Sequence, residues 1–317
     1  MGNNVFSALR FACLLSGLLA LGACENYKDK NSPTTGKLNV YYDEGLELHV
    51  KNQLLTFEDQ YPDAHVQLFR SSENEAVQAL YNDSCEAIVI SRLLNDNESK
   101  AFASKGFSPK HSAIAKSGIA LITNVGTPVS QLAFNDVTDL VTNPAYMAKD
   151  SAGNSIQMKV LFDKKNSAVL HYVQDSLLKG KKLSANCNIL NSSLESINYV
   201  ARNKNTIALI DFAWLSDVDD SIYKANKTKV KFIALGKPNS NSFYYPDQSN
   251  FKLGLYPLTR TVYVIRKTGD FTLAKGYESY MAGPKAQLTF LKQGLLPARQ
   301  GERAVHVNMG PENEKNK

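Results

Sequence analysis

Between Lys37 and Ser104 a short β-prone run is followed three times by a stretch with helical spacing, and this alternation restricts the possible folds more than any other feature. The strands read Lys37–Tyr42, His65–Phe69 and Glu86–Ile90. The helices read Leu46–Phe57, with Leu46, Val50, Leu54 and Phe57 on one face, then Glu73–Tyr81 and Asp96–Ser104, the last with acidic residues in its first turn. Consecutive β-α units cannot pair as hairpins, so they predict parallel strands with helices on the faces of the sheet.

A longer apolar strand at Ile114–Thr123 and the break Asn124–Pro128 mark a first passage into another α/β set. That set contains helices at Asn135–Thr142, Ser167–Leu178 and Leu194–Asn203, and strands at Met158–Phe162, Asn188–Leu190, Thr206–Phe212 and Val230–Leu235. Gly236–Asn250 reads as a polar loop bearing Tyr244 and Tyr245, either lining a cleft or lying at the surface. Val262–Arg266 is a β-prone return, followed by helices at Ala274–Met281 and Lys285–Gln293. The expected architecture is α/β, with residues 37–124 and 256–307 in one lobe and 125–255 in the other, each a mainly parallel sheet flanked by helices. A ligand cleft is expected at the carboxyl ends of the strands.

The N-terminus bears on location. Arg10 precedes an apolar run from Phe11 to Ala23, too short to cross a bilayer core of about 30 Å as a helix. It ends in Leu21-Gly22-Ala23-Cys24, which matches the bacterial lipobox. Residues 1–23 are therefore expected to be a lipoprotein signal peptide, and Cys24 an acylated membrane anchor on the periplasmic side of the cell envelope. Residues 24–36 read as a flexible tether and 308–317 as a disordered tail. Cys13 leaves with the signal, so Cys85 and Cys187 remain, expected as free and partly buried thiols.

The formal net charge of +6 is mild, and no Lys/Arg cluster forms a nucleic-acid face. Lys179, Lys181 and Lys182 follow a helix end, where cations suit the dipole. The histidines at 49, 65, 111, 171 and 306 lack metal-ligand spacing. Asp217, Asp219 and Asp220 lack the glycine and glutamate of a calcium loop and read as a solvated turn. No nucleophile elbow or phosphate-cradling loop is present, so neither catalysis nor a cofactor is expected.

Ile90-Ser91-Arg92, Phe162–Ser167, Leu255–Arg260, and Gly283–Gln287 through Gly294–Pro297 occur in the order and spacing of a known family. On these residues the chain resembles the phosphate-binding proteins of bacterial phosphate ABC transporters, with the type 2 periplasmic-binding-protein fold. The resemblance implies a monomeric receptor for phosphate or another small anion, with an ABC permease or other envelope protein as partner. It also implies ligand groups from Asp43, Glu44 and Gly45, from Ser91 and Arg92, and from Ser167, Ala168 and Val169. The family's small and hydroxyl residues are replaced by Asp43-Glu44. Its Arg-x-x-x-Ser-Gly-Thr motif reads Asp163-Lys-Lys-Asn-Ser167-Ala168-Val169, keeping only the serine.

Phosphate held without a metal needs donors: helix N-terminal N–H groups, hydroxyls and a guanidinium. One carboxylate can accept a proton of phosphate and help reject sulfate, whereas Asp43, Glu44 and Asp163 together would repel an anion. Asp43 and Glu44 could alternatively cap the helix that follows, Arg92 could pair with the acids of the next helix, and Ser167 could be an N-cap. Arg260 is expected in the interlobe connection. The competing function is a membrane-tethered sensory or interaction module with an altered ligand site.

Overall fold

The structure, a computed structural model, describes residues 31–299 apart from 179, 239 and 268. The signal sequence, Cys24 and the 308–317 tail lie outside the described residues. No helix among the described residues is long and apolar enough to cross a membrane.

The described chain divides into two compact units, 31–112 with 166–168 and 264–279, and 113–165 with 169–263 and 280–299. The divisions fall inside two long strands, after Ser112 and after Tyr263, whereas the sequence places them at the loop ends near 124 and 255.

The first unit is built as the periodicity predicts. Its strands are β1 (Gly36–Asp43), β2 (Ala64–Ser71) and β3 (Ala87–Ile90). Both β2 and β3 pair β1 in parallel, in the order β2-β1-β3. Helices α1 (Glu47–Gln60), α2 (Glu73–Tyr81) and α3 (Asp96–Ser104) follow the three strands in turn. The strand β4 (Lys110–Asn124) begins in this unit. Alternation buries Leu38, Val40 and Tyr42 on β1, while all four residues of β3 are buried, as suits a central parallel strand. Capping boxes start α2 (Ser72 with Glu75) and α3 (Asn95 with Glu98), satisfying N–H groups that have no intrahelical partner. Phe57 of α1, fully buried, meets Tyr277 edge to face at 5.4 Å; burial of such a ring contributes about 1.5–3 kcal/mol.

The second unit carries the rest of β4, β5 (Gln131–Leu132), α4 (Phe134–Thr142), β6 (Met147–Lys149), β7 (Ser155–Gln157), β8 (Lys159–Phe162) and α5 (Ala168–Tyr172). Next come β9 (Cys187–Ile189), α6 (Ser193–Arg202), β10 (Thr206–Asp211), α7 (Ser221–Asn226), β11 (Val230–Phe232), β12 (Ala234–Gly236), β13 (Phe243–Tyr244) and α8 (Gln248–Lys252). The chain ends with β14 (Thr259–Arg266), α9 (Leu273–Met281), α10 (Pro284–Lys292) and β15 (Leu296–Pro297). Strands β9, β8 and β10 are parallel, and β4 pairs β10, β11 and β15 antiparallel.

Several expectations change. The helix predicted over Ser167–Leu178 loosens into a π-helix at Val173–Leu178. The strand predicted over 230–235 is two: β11 pairs β4, and after the buried Ile233 β12 turns to pair β5 and β13. The loop predicted over 236–250 contains β13 and the start of α8; Tyr244 is half-buried in the β12 pairing and Tyr245 is exposed. Asp220 caps α7, accepting from the Ile222 N–H at 2.7 Å, and Asp219 is solvated. Part of the expected tether is structured: Gly36 opens β1, and Asn31 Oδ1 accepts from the Leu273 N–H at 2.9 Å.

Cys85 and Cys187 are free, and they belong to different units. Burial pushes their thiols up to about 12 and about 11 respectively.

Candidate functional site

Parallel strands place all their carboxyl ends on one edge, so the residues closing β1, β2 and β3 form a row in the first unit. Asp43 is in register with Ser71, and Tyr42 with Val89 two residues before Ser91. Asp43, Glu44, Gly45, Ser71, Ser72, Glu73 and Ser91 are all buried there. Ser167 and Ala168 belong to this same unit, while Val169 belongs to the other. Ser167, Ala168 and Val169 are buried.

The carboxylates on this edge are largely neutralised. A 3₁₀ turn at Glu44–Leu46 leads into α1, and Asp43 precedes it without a capping hydrogen bond from its side chain. Glu44 instead pairs Arg70 at 3.0 Å, and Glu47 lies 3.4 Å from the same guanidinium. Burial works against the Arg70 charge, but its hydrogen bond to Glu44 and the charges of both glutamates outweigh this and raise its pKa. Beside this pair the Tyr42 phenol is pushed up to about 12, by burial first and then by the Glu47 charge.

Glu73, the first residue of α2, is buried and accepts the Ser91 N–H at 2.8 Å. Arg92 realises the pairing alternative: Nη1 and Nη2 donate to the two Glu98 oxygens at 2.7 and 2.8 Å. Nη1 also reaches the Leu93 carbonyl, Nη2 the Asn74 side chain, and Nε lies 3.5 Å from Glu73. Ser91 is thereby held from both sides, by its N–H and by its neighbour's guanidinium. Its hydroxyl is buried and has no hydrogen-bond partner among the described residues. A buried hydroxyl left unpaired costs about 1–3 kcal/mol, which makes this atom a candidate ligand contact.

Asp163, which takes the place of the family's arginine, turns into the second unit. Its carboxylate accepts from the Ser193 hydroxyl at 3.1 Å, at the start of α6, and from the Lys164 N–H. That unit has a second buried polar network at the end of β10, where Asp211 pairs Arg260 and accepts from Ser117 Oγ at 2.8 Å and the Ala213 N–H at 2.9 Å. Arg260, expected in the interlobe connection, is thus a partner of Asp211 on β14.

Sequence reasoning missed Arg70, Glu73 and Asp211. Ser72 was accessible through its capping-box spacing to Glu75, but the pairings of Arg70 and Asp211 join separate elements and leave no local signal. Among the described residues no group of three or more His, Cys, Asp or Glu side chains could hold a metal.

Residues 31–285 match the family model described as a PBP superfamily domain. The chain belongs to this family. Among solved structures, a protein described as a phosphate ABC transporter substrate-binding protein with bound phosphate, from Clostridium perfringens, superposes with a TM-score of 0.68 at 20% identity. An ABC-type phosphate transport receptor from Vibrio cholerae gives 0.63 at 15% identity. Both comparisons cover 83% of this chain and 100% of the other. PstS from Borrelia burgdorferi gives 0.53 at 14% identity, covering 82% of this chain and 98% of its own. At these identities the likeness concerns the fold, which is the periplasmic-binding-protein type expected from the resemblance. No curated protein matches the sequence.

Proposed function

We propose that this chain is a solute-binding lipoprotein of the cell envelope whose ligand is phosphate or another small oxyanion. Cys24 is its lipid anchor, and an ABC permease or another envelope protein takes the solute from it. The observation that carries the ligand assignment is the Ser91 hydroxyl, buried without a partner on a strand-end edge that also carries Asp43 and the 44–46 turn, in the unit to which Ser167 belongs.

The objection raised by the acidic sequence loses most of its force. Two like charges 4 Å apart repel by about 4 kcal/mol at an effective dielectric constant of 20. Arg70 cancels Glu44 at close range, Arg92 lies against Glu73, and Asp163 is occupied with Ser193. Asp43, buried where β1 ends, is the acceptor assigned to a protonated oxyanion, which favours phosphate over fully ionised sulfate. The donors are the hydroxyls of Ser91 and Ser167 and the N–H groups of Glu44, Gly45 and Ala168, at two helix starts. Arg92 holds the Ser91 loop instead of touching the ligand. The comparisons with phosphate-binding receptors support this assignment.

Isothermal titration with phosphate, on protein refolded from denaturant to remove carried-over ligand, tests it. Saturable heat with a raised melting temperature is expected, weakened by S91A and S167A. No heat and no melting shift at millimolar phosphate would refute the oxyanion reading and leave the interaction module in its place.

A further inference from the structure

Where the chain enters the described structure it is held on α9. Asn31 accepts from the Leu273 N–H, Ser32 and Thr35 close a small bridge, and the Pro33 carbonyl occupies the place where a Gly276 Cβ would stand. Glycine inside a helix is disfavoured relative to alanine, and this close approach accounts for its use here. Two residues before Leu273 stands Phe271, 86% exposed, the most exposed large apolar side chain among the described residues. Its neighbour Asp270 is tied to Arg266 at 2.6 Å and to Lys110 at 2.9 Å, so the loop that presents the ring is braced. On the same unit Leu93 and Phe107, both exposed, line a groove of about 260 Å³ with Leu94, Pro109 and Ile265, and Lys267 lies 3.8 Å over the Phe107 ring.

We propose that this unit rests on the lipid surface of the membrane that holds Cys24 through the exposed ring of Phe271. The inference depends on the lipid-anchor reading above. The seven Cα steps from Cys24 to Asn31 cover at most about 25 Å. Because Asn31 is fastened to the first residue of α9, Phe271 is confined to the neighbourhood of the bilayer by the same leash. Tethering over such a span gives millimolar effective concentration, at which a contact far too weak to recruit a free protein is populated. Two or three acyl chains anchor, and an apolar side chain at the headgroup boundary orients what they anchor. Phe271 has the chemistry for that role: a large ring, nearly all exposed, with the adjacent carboxylate already neutralised.

The test uses the full lipidated protein in vesicles of phosphatidylethanolamine and phosphatidylglycerol. An F271W reporter is read against the native chain, whose single tryptophan, Trp214, is buried. The reporter is expected to shift to the blue and to lose most of its emission to lipids brominated near the headgroup. Lengthening the leash by about 20 Gly/Ser residues lowers the effective concentration about sevenfold, and quenching should fall accordingly. Flotation of the same samples separates the two readings. Protein that fails to float refutes the anchor and this contact together, whereas protein that floats with the reporter unquenched refutes the contact alone. Quenching undiminished by the longer leash refutes confinement as its cause. A reporter unquenched in pure lipid but shielded in native membranes assigns the ring to a protein partner and overturns the proposal.

Discussion

Arg92 to alanine is the sharpest test of how the candidate site is built. The guanidinium makes a two-pronged contact with Glu98 at 2.7 and 2.8 Å, with 29% and 19% of the two side chains exposed. Hydrogen bonds to charged groups contribute about 1.5–3 kcal/mol, and partial exposure brings this contact toward about 2 kcal/mol. The substitution also takes the cation from buried Glu73, which keeps the Ser91 N–H, so a total cost of about 2–3 kcal/mol is expected. At about 2–4 °C per kcal/mol the melting temperature falls by about 4–12 °C. A double-mutant cycle of R92A with E98A, read by urea unfolding, should return a coupling of about 1–2 kcal/mol. Both single variants should weaken phosphate binding modestly and to a similar degree, about tenfold or less, through displacement of Ser91. A direct ligand contact predicts the opposite pattern: R92A abolishes binding at an unchanged melting temperature, and E98A, by freeing the guanidinium, tightens it. That pattern, or a coupling below about 0.5 kcal/mol, would refute the positioning role.

The same glutamate makes stability pH-dependent. Burial alone would raise the pKa of Glu98, but hydrogen bonds from Arg92 and the Asn95 N–H hold it below the ordinary glutamate value, and Glu278 is lowered likewise against its burial by Arg266, Ser112 and Lys275. A depressed folded-state pKa stabilises above the unfolded value and loses that contribution as pH falls through the folded one. Thermal melts should therefore be flat near neutrality with respect to these groups and decline below about pH 4.5, less steeply in E98Q. R266M leaves Glu278 buried with only Ser112 and Lys275 and should cost about 3–5 kcal/mol in urea unfolding. D43N should narrow the preference for phosphate over sulfate by about 10- to 100-fold, measured by competitive titration, because the acceptor for the ligand's proton is lost. With their pKa values raised, Cys85 and Cys187 should react with a thiol reagent near neutral pH at least about 100-fold slower than an exposed cysteine, and at the ordinary rate in denaturant; rapid labelling of the folded protein would contradict the burial.

Helices α2 and α3 coincide with the segments predicted over Glu73–Tyr81 and Asp96–Ser104, because each carries its own start signal in a capping residue and an acidic first turn. The two strands of 230–236 read as one, since an apolar run records burial without recording which partner each half pairs. The same limit governs the site. The segments 43–45, 91–92 and 167–169 could be picked out as strand-to-helix turns, and three residues of the expected ligand set were carboxylates or cations of unknown disposition. What the row of residues could not state is that Arg70 reaches Glu44, or that Arg92 faces Glu98, six positions along the chain.

By itself the sequence determined the β-α order, the helix limits that capping residues set, and the strand ends at which polar residues gather. These are properties of neighbouring residues. Tertiary structure decided where the compact units divide, which turned on the long strands β4 and β14, and which charges cancel. Charge cancellation depends on through-space distances of about 3 Å between side chains on different elements, and only the packed chain fixes those.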